Sequence, residues 1–232
     1  MLIICYHHHE HNPHREIETN IRYKWKAVNR ITSTSTSIST STSTSSQQMN
    51  LFILSTDPAK AAEEMMDKHI HKILLEAVQM LCTAVRVLVH DPHLDPDLDD
   101  QLYKLAHKNH PVTIWCRTSR ANFIWTLDHI DALHNEWKYR YAHPESKIHK
   151  SYLVAQLIRE NIPADHLFPV SSTESNGATT PFALAMPVQY KDPSGDAVAS
   201  YRAYYMSPEK TRIAKWAKRR SAPGWWSHRH EL

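Results

Sequence analysis

Residues 67–88 read DKHIHKILLEAVQMLCTAVRVL. Apolar side chains recur at Ile70, Ile73, Leu74, Ala77, Leu81, Ala84 and Val85. Steps of three and four residues place them on one face of an α-helix, which advances about 100° per residue. The stretch therefore predicts a long helix with one side in a core. With His69 set at zero, Lys72 lies at about 300° and Glu76 at about 340°, beside an apolar stripe centred at about 90°. This polar trio borders the buried face. A carboxylate there is either pushed toward its neutral form by desolvation or held ionised by Lys72. The plainer reading is a salt-bridged helix edge, with Glu76 paired to Lys72 one turn back.

Outward from this helix, punctuation marks predict the remaining elements. Asp57-Pro58 supplies an acidic N-cap and a proline at the first helical position. His110-Pro111 starts another helical segment, and Ser119 caps the long RANFIWTLDHIDALHNEWKYRYA. Residues 146–160 (SKIHKSYLVAQLIRE) read as amphipathic helix, and residues about 196–205 and 208–219 as two short ones. Residues 91–106 read as an acidic loop with one helical turn. The Pro-, Ser- and Thr-rich 161–195 reads as loop, and 50–54 as a short strand. The fold class is mostly α: a single compact helical domain over 49–222, a flexible tail over 223–232, and a disordered extension over 1–48. The extension is called from TSTSTSISTSTSTSS at 32–46, which has nothing with which to build a core. Met49, directly after it, is a second candidate translation start; the competing reading is a genuine disordered tail.

The bulk numbers agree with helices joined by stiff loops: 3 glycines against 13 prolines in 232 residues, with 41% hydrophobic residues for a core. Cys5, Cys82 and Cys116 lack metal-type spacing, which predicts an intracellular, reducing setting. No apolar run reaches the roughly 18–20 residues of a membrane span, and the His-rich start does not read as a secretory signal. Charge is uneven. Residues 200–232 hold eight Lys/Arg and two acids, 8 − 2 = +6, on a chain of net +3. A basic end of this kind predicts a phosphate-binding surface, or else a solvated tail.

A second polar and aromatic set follows. Asn122, Trp125 and His129 repeat the i, i+3, i+7 spacing of His69, Lys72 and Glu76. Trp115 and Arg117 stand just upstream, and His149 and Lys150 further on. Aromatic, guanidinium and amide groups together can hold a base and its phosphate. A helical tryptophan is more often core.

MNLFILSTDPAKAAEEMMDKHIHKILLEAVQMLCTA, HKNHPVTIWCRTSRANFIWTLDHI, KYRYAHPESKIHKS, TPFALAMPVQYK and SYRAYYMSPEKTRIAKWAKR resemble, in order and over about 49–217, a family of small phage and giant-virus proteins labelled pyrimidine dimer DNA glycosylase-like. That family is remotely similar to the pyrimidine-dimer glycosylases of the endonuclease V type. The resemblance implies a compact helical enzyme with a D-x-H motif and a catalytic glutamate nine residues after the aspartate, the spacing of Asp67, His69 and Glu76. It implies that Glu76 stabilises the sugar cation as the base leaves. It also implies a nucleophile that is the α-amine of a chain-terminal residue, usually threonine. Here Met49 is followed by Asn50, and in a chain that starts at Met1 no free amine lies near the domain. Lys72 or Lys68 is then the substitute.

The expected catalytic residues are therefore Glu76, His69 and Lys72. The expected DNA contacts are Trp115, Arg117, Asn122, Trp125, His149, Lys150 and Lys215, with backbone contacts from Tyr201, Arg202, Tyr204 and Tyr205. The reading calls for DNA or nucleotides as partner, no cofactor, no metal, no membrane and a monomer. Its rivals are an enzyme acting on nucleotides or modified viral bases, a metal nuclease using His69, His71, His107 and His110, and a DNA-binding protein without turnover.

Overall fold

A computed structural model describes residues 49–90 and 93–227. The extension expected over 1–48, with Cys5, and the last five residues lie outside the described part. The described chain is mostly α.

Helix α1 spans Pro58–Glu64, and Asp57 caps it by accepting from the N–H groups of Ala59 and Lys60. Helix α2 spans Asp67–Val89 and carries the stretch quoted at the outset. Its start has no side-chain cap of its own. Met66 N–H donates instead to the Tyr205 hydroxyl, and Asp67 N–H to the Lys215 carbonyl, so the orphan donors of the first turn are met by the C-terminal part of the chain. Helix α3 is the single turn Pro96–Asp99 in the acidic loop. Helices α4 (Pro111–Cys116) and α6 (Lys150–Glu160) are capped by histidines, whose Nδ1 atoms accept from Val112 and Ser151 N–H. Two of the many histidines thus have a local structural role. Helix α5 spans Arg120–Arg140 behind Ser119, whose hydroxyl accepts from Asn122 N–H.

Helix α2 is the centre of the fold: α4, α5 and α6 all pack on it, and α1 packs on α5. Ile70, Ile73, Leu74, Ala77, Leu81 and Ala84 are fully buried. Each large aliphatic side chain in that stripe contributes about 1.5–3 kcal/mol through area removed from water.

Three expectations change. Residues 50–54 are buried but form no strand. Phe52 has a positive φ of 49°, and Leu54 N–H turns back to the Phe52 carbonyl, so no extended ladder can run through. The helix expected over 208–219 stops early. After α7 (Ala197–Tyr205), helix α8 covers only Pro208–Thr211. Beyond it the backbone is drawn onto α2, with Ala217 N–H donating to the Asp67 carboxylate at 2.7 Å. The tail expected from 223 is docked at its beginning. Gly224–Ser227 form a short turn, α9, and Trp225 Nε1 donates to Glu64 at 2.8 Å. No described helix is long and apolar enough to cross a membrane.

Candidate active site

Glu76 lies on α2 and is 7% exposed. One of its oxygens accepts the backbone N–H of Asn50 at 3.1 Å, and the other faces Lys72 Nζ at 3.5 Å. Burial raises its pKa. Lys72, the Asn50 N–H and Lys210 oppose that rise without cancelling it. The helix-edge ion pair expected from spacing is therefore real, but its acid is buried and its base is half-exposed. The Asn50 nitrogen is brought there by the irregular 49–54 segment. That segment is held by Asn50 Nδ2 donating to the Ala185 carbonyl at 2.8 Å and by Asn50 Oδ1 accepting from Phe52 N–H at 3.0 Å.

The positive φ at Phe52 aims its ring along His69, with centroids 4.7 Å apart and planes 22° apart. His69 Nδ1 is 2.7 Å from the Tyr205 hydroxyl. That hydroxyl also accepts from Met66 N–H, so one phenol ties the His69 ring to the start of α2. Burial first, then the charges of Lys210, Lys72 and His71, hold the His69 pKa well below the imidazole range. His69 is thus a neutral, buried ring that fixes Phe52 and the start of α2.

Lys210 enters the same place from α8, and no feature of its local sequence marks it. Its Nζ sits 4.7 Å from the Phe52 ring centroid and 5.2 Å from that of Tyr204. Burial, then Lys72, lower its pKa, while Glu76 and Glu209 act the other way. One carboxylate is thus gathered with two amines and an aromatic wall. No family model, curated protein or solved structure matches this chain.

The D-x-H motif divides its labour. His69 belongs to the site, whereas Asp67 belongs to a clamp. The Asp67 carboxylate takes Arg140 Nη1 at 3.0 Å on one oxygen and Ala217 N–H on the other. Arg140, 2% exposed, also donates to Glu136 and to the carbonyls of Met65 and Glu63. Arg220 closes the network on Glu136 and Glu63. Burial pushes the Glu136 pKa up, but the hydrogen bonds from Arg220 and Arg140 outweigh it and hold the group below its usual range.

The expected aromatic platform is core. Trp115, Asn122 and Trp125 are buried. Trp115 Nε1 donates to the Thr180 carbonyl and Trp125 Nε1 to that of Thr56. Asn122 Nδ2 donates to the Trp115 carbonyl, and Asn122 Oδ1 accepts from Thr180 N–H. The two tryptophans pack edge-to-face on one another, with Phe182 against both. These residues offer no face to a base, because burying such large aromatic area is worth more than leaving it wet. Tyr201 and Tyr205 are likewise fully buried, and Arg202 is paired with Glu64 at 3.2 Å. Arg117 is half-buried and donates to the Lys108 carbonyl, while Lys150 and Lys215 are exposed. His149 is half-buried and turned to local contacts: its Nδ1 caps α6, and its backbone N–H donates to His134 Nε2 at 3.4 Å.

No group of three or more His, Cys, Asp or Glu suited to a metal ion occurs among the described residues. In the rival metal set, His69 is taken by Tyr205 and His110 by its capping role, while His71 and His107 are exposed. Cys82 and Cys116 are buried free thiols, both pushed up to about 12 by burial.

Proposed function

We propose that this chain is a DNA glycosylase, with associated strand cleavage, acting on damaged or modified pyrimidines. The observation that carries the reading is the position of Glu76: buried, with a backbone nitrogen on one oxygen and an ammonium on the other. Departure of a base from C1′ takes the bonding pair with it and leaves positive charge on the sugar. A carboxylate shielded from water stabilises that charge most strongly. The order and spacing of the motifs support the same reading through the resemblance given above. It makes DNA the partner, the acting unit a monomer, and the setting intracellular and reducing.

Asn50 adds a specific point. In the chain as written its nitrogen is an amide, joined to Met49. A chain beginning at Asn50 would carry its α-amine at that position, 3.1 Å from Glu76. Strand cleavage by an amine needs a lone pair that the amide lacks.

The test compares the full chain, a chain from Met49 and a chain from Asn50 on duplexes carrying pyrimidine dimers or abasic sites. Base release by all three, lost in Glu76→Gln, is the expected result. Absence of release from every lesion-containing duplex would sink the proposal. A second reading, an enzyme on free nucleotides, is favoured by the ion pairs that occupy Arg202 and Arg220 and so reduce the charge left for a duplex. Base release from nucleotides but not from DNA would select it.

A further inference from the structure

We infer that Lys210 is the amine of this site that condenses with a sugar aldehyde, the opened C1′ of an abasic deoxyribose. The inference rests on the DNA reading for the origin of that aldehyde. The step itself needs only an abasic sugar.

Three observations carry it. First, α8 brings Lys210 Nζ onto the faces of Phe52 and Tyr204, at 4.7 and 5.2 Å from the ring centroids, beside the carboxylate at the centre of the site. Second, its neighbours favour the free amine. Burial and Lys72 weigh against the ammonium form, and Glu76 and Glu209 only partly offset them. His69 faces the same group and is held neutral, so it offers the ammonium no ion-pair partner. Desolvation beside a second cation is a general way to make a lysine nucleophilic at neutral pH. Third, the other amines are less suited. Lys68 is exposed. The Lys72 side chain is 41% exposed and is committed to Glu76. The Asn50 nitrogen is an amide in the full chain.

The chemistry balances without a cofactor. The Nζ lone pair forms the N–C1′ bond as the carbonyl pair moves to oxygen. That oxygen leaves as water, taking one proton from the amine and one relayed from solvent by Glu76, whose pKa burial raises. The resulting carboxylate removes a proton from C2′, and that electron pair expels the 3′-phosphate by cleaving the C3′–O bond. Water then hydrolyses the iminium and returns Lys210 as the amine. Neither protein nor substrate is oxidised. If hydride is supplied before hydrolysis, it adds to C1′ and leaves a stable secondary amine.

The experiment incubates the full 232-residue chain with a duplex carrying a preformed abasic site and borohydride, digests the product and maps the adduct by mass spectrometry. The adduct is expected on Lys210. Lys210→Arg removes the nucleophile, so its trapping should fall at least about tenfold, whereas Lys191→Arg, at an exposed lysine, should change it less than about threefold. An adduct on Lys72, Lys68 or any other amine overturns the inference. So does full trapping by Lys210→Arg, or no adduct from the unaltered chain. Base release from dimer-containing DNA is read separately. An adduct without release keeps Lys210 and removes the glycosylase reading; release without an adduct does the reverse.

Discussion

His129 makes a sharp prediction about acid stability. It lies on α5, is fully buried, stacks on Trp125 with centroids 5.1 Å apart, and places Nδ1 2.9 Å from the Pro58 carbonyl. Burial lowers its pKa from 6.5 to about 4, against the weaker pull of the Pro58 and Leu51 backbone groups. The folded group thus binds a proton less readily than the unfolded one. Its contribution is complete above about 6.5 and is lost as pH falls from there to about 4, because the unfolded chain gains the proton first. That interval is about two and a half pH steps at roughly 1.4 kcal/mol each, or about 3 kcal/mol. Such a loss is a large part of the roughly 5–15 kcal/mol that holds a domain folded. His134 and His69, also buried and lowered, act in the same direction. Raised carboxylates such as Glu76 act in the opposite one. His129→Gln separates the terms. Urea unfolding of both proteins at pH 7.5, 6, 5 and 4 should show the gap between them shrinking by about 3 kcal/mol from the highest pH to the lowest. A gap that stays constant, or widens in acid, would refute the reasoning.

Glu76→Gln keeps an acceptor for Asn50 N–H and removes the charge. It should lower base release about 10²–10³-fold while moving the melting temperature by only a few degrees, read by calorimetry. Arg140→Met removes the centre of the Asp67–Glu136 clamp and should cost about 3–5 kcal/mol in urea unfolding, at the lower end because Arg220 and Ala217 remain as partners. Trp125→Phe loses one hydrogen bond to Thr56 and should cost about 1 kcal/mol of stability. Because Trp125 is core, DNA affinity in a filter-binding assay should be unchanged; a large loss of affinity with normal stability would return it to the interface.

Local signals gave good returns where the physics is local. Asp57, His110 and Ser119 start helices for reasons contained within three residues. The 3.6-residue period of 67–88 marked both the central helix and the edge where Glu76 meets Lys72. The same period at Asn122 and Trp125 misled, because periodicity identifies a face without saying what lies against it. Only the packed structure shows Phe182 and Thr180 covering that face. Lys210 was invisible for a related reason: it lies 134 residues (210 − 76) from Glu76, and the aromatic seat beneath it depends on the positive φ of Phe52.

From its residues alone, then, the chain dictates a mostly helical domain, the starts of its helices, and a carboxylate at the border of the main apolar stripe. These follow from backbone sterics, capping and periodicity, which act over a few residues. Which nitrogens reach that carboxylate, which tryptophans become core, and which basic side chains are tied up in ion pairs were decided by tertiary packing. Those contacts join segments that are far apart in sequence, and their energies exist only once water has been excluded between them.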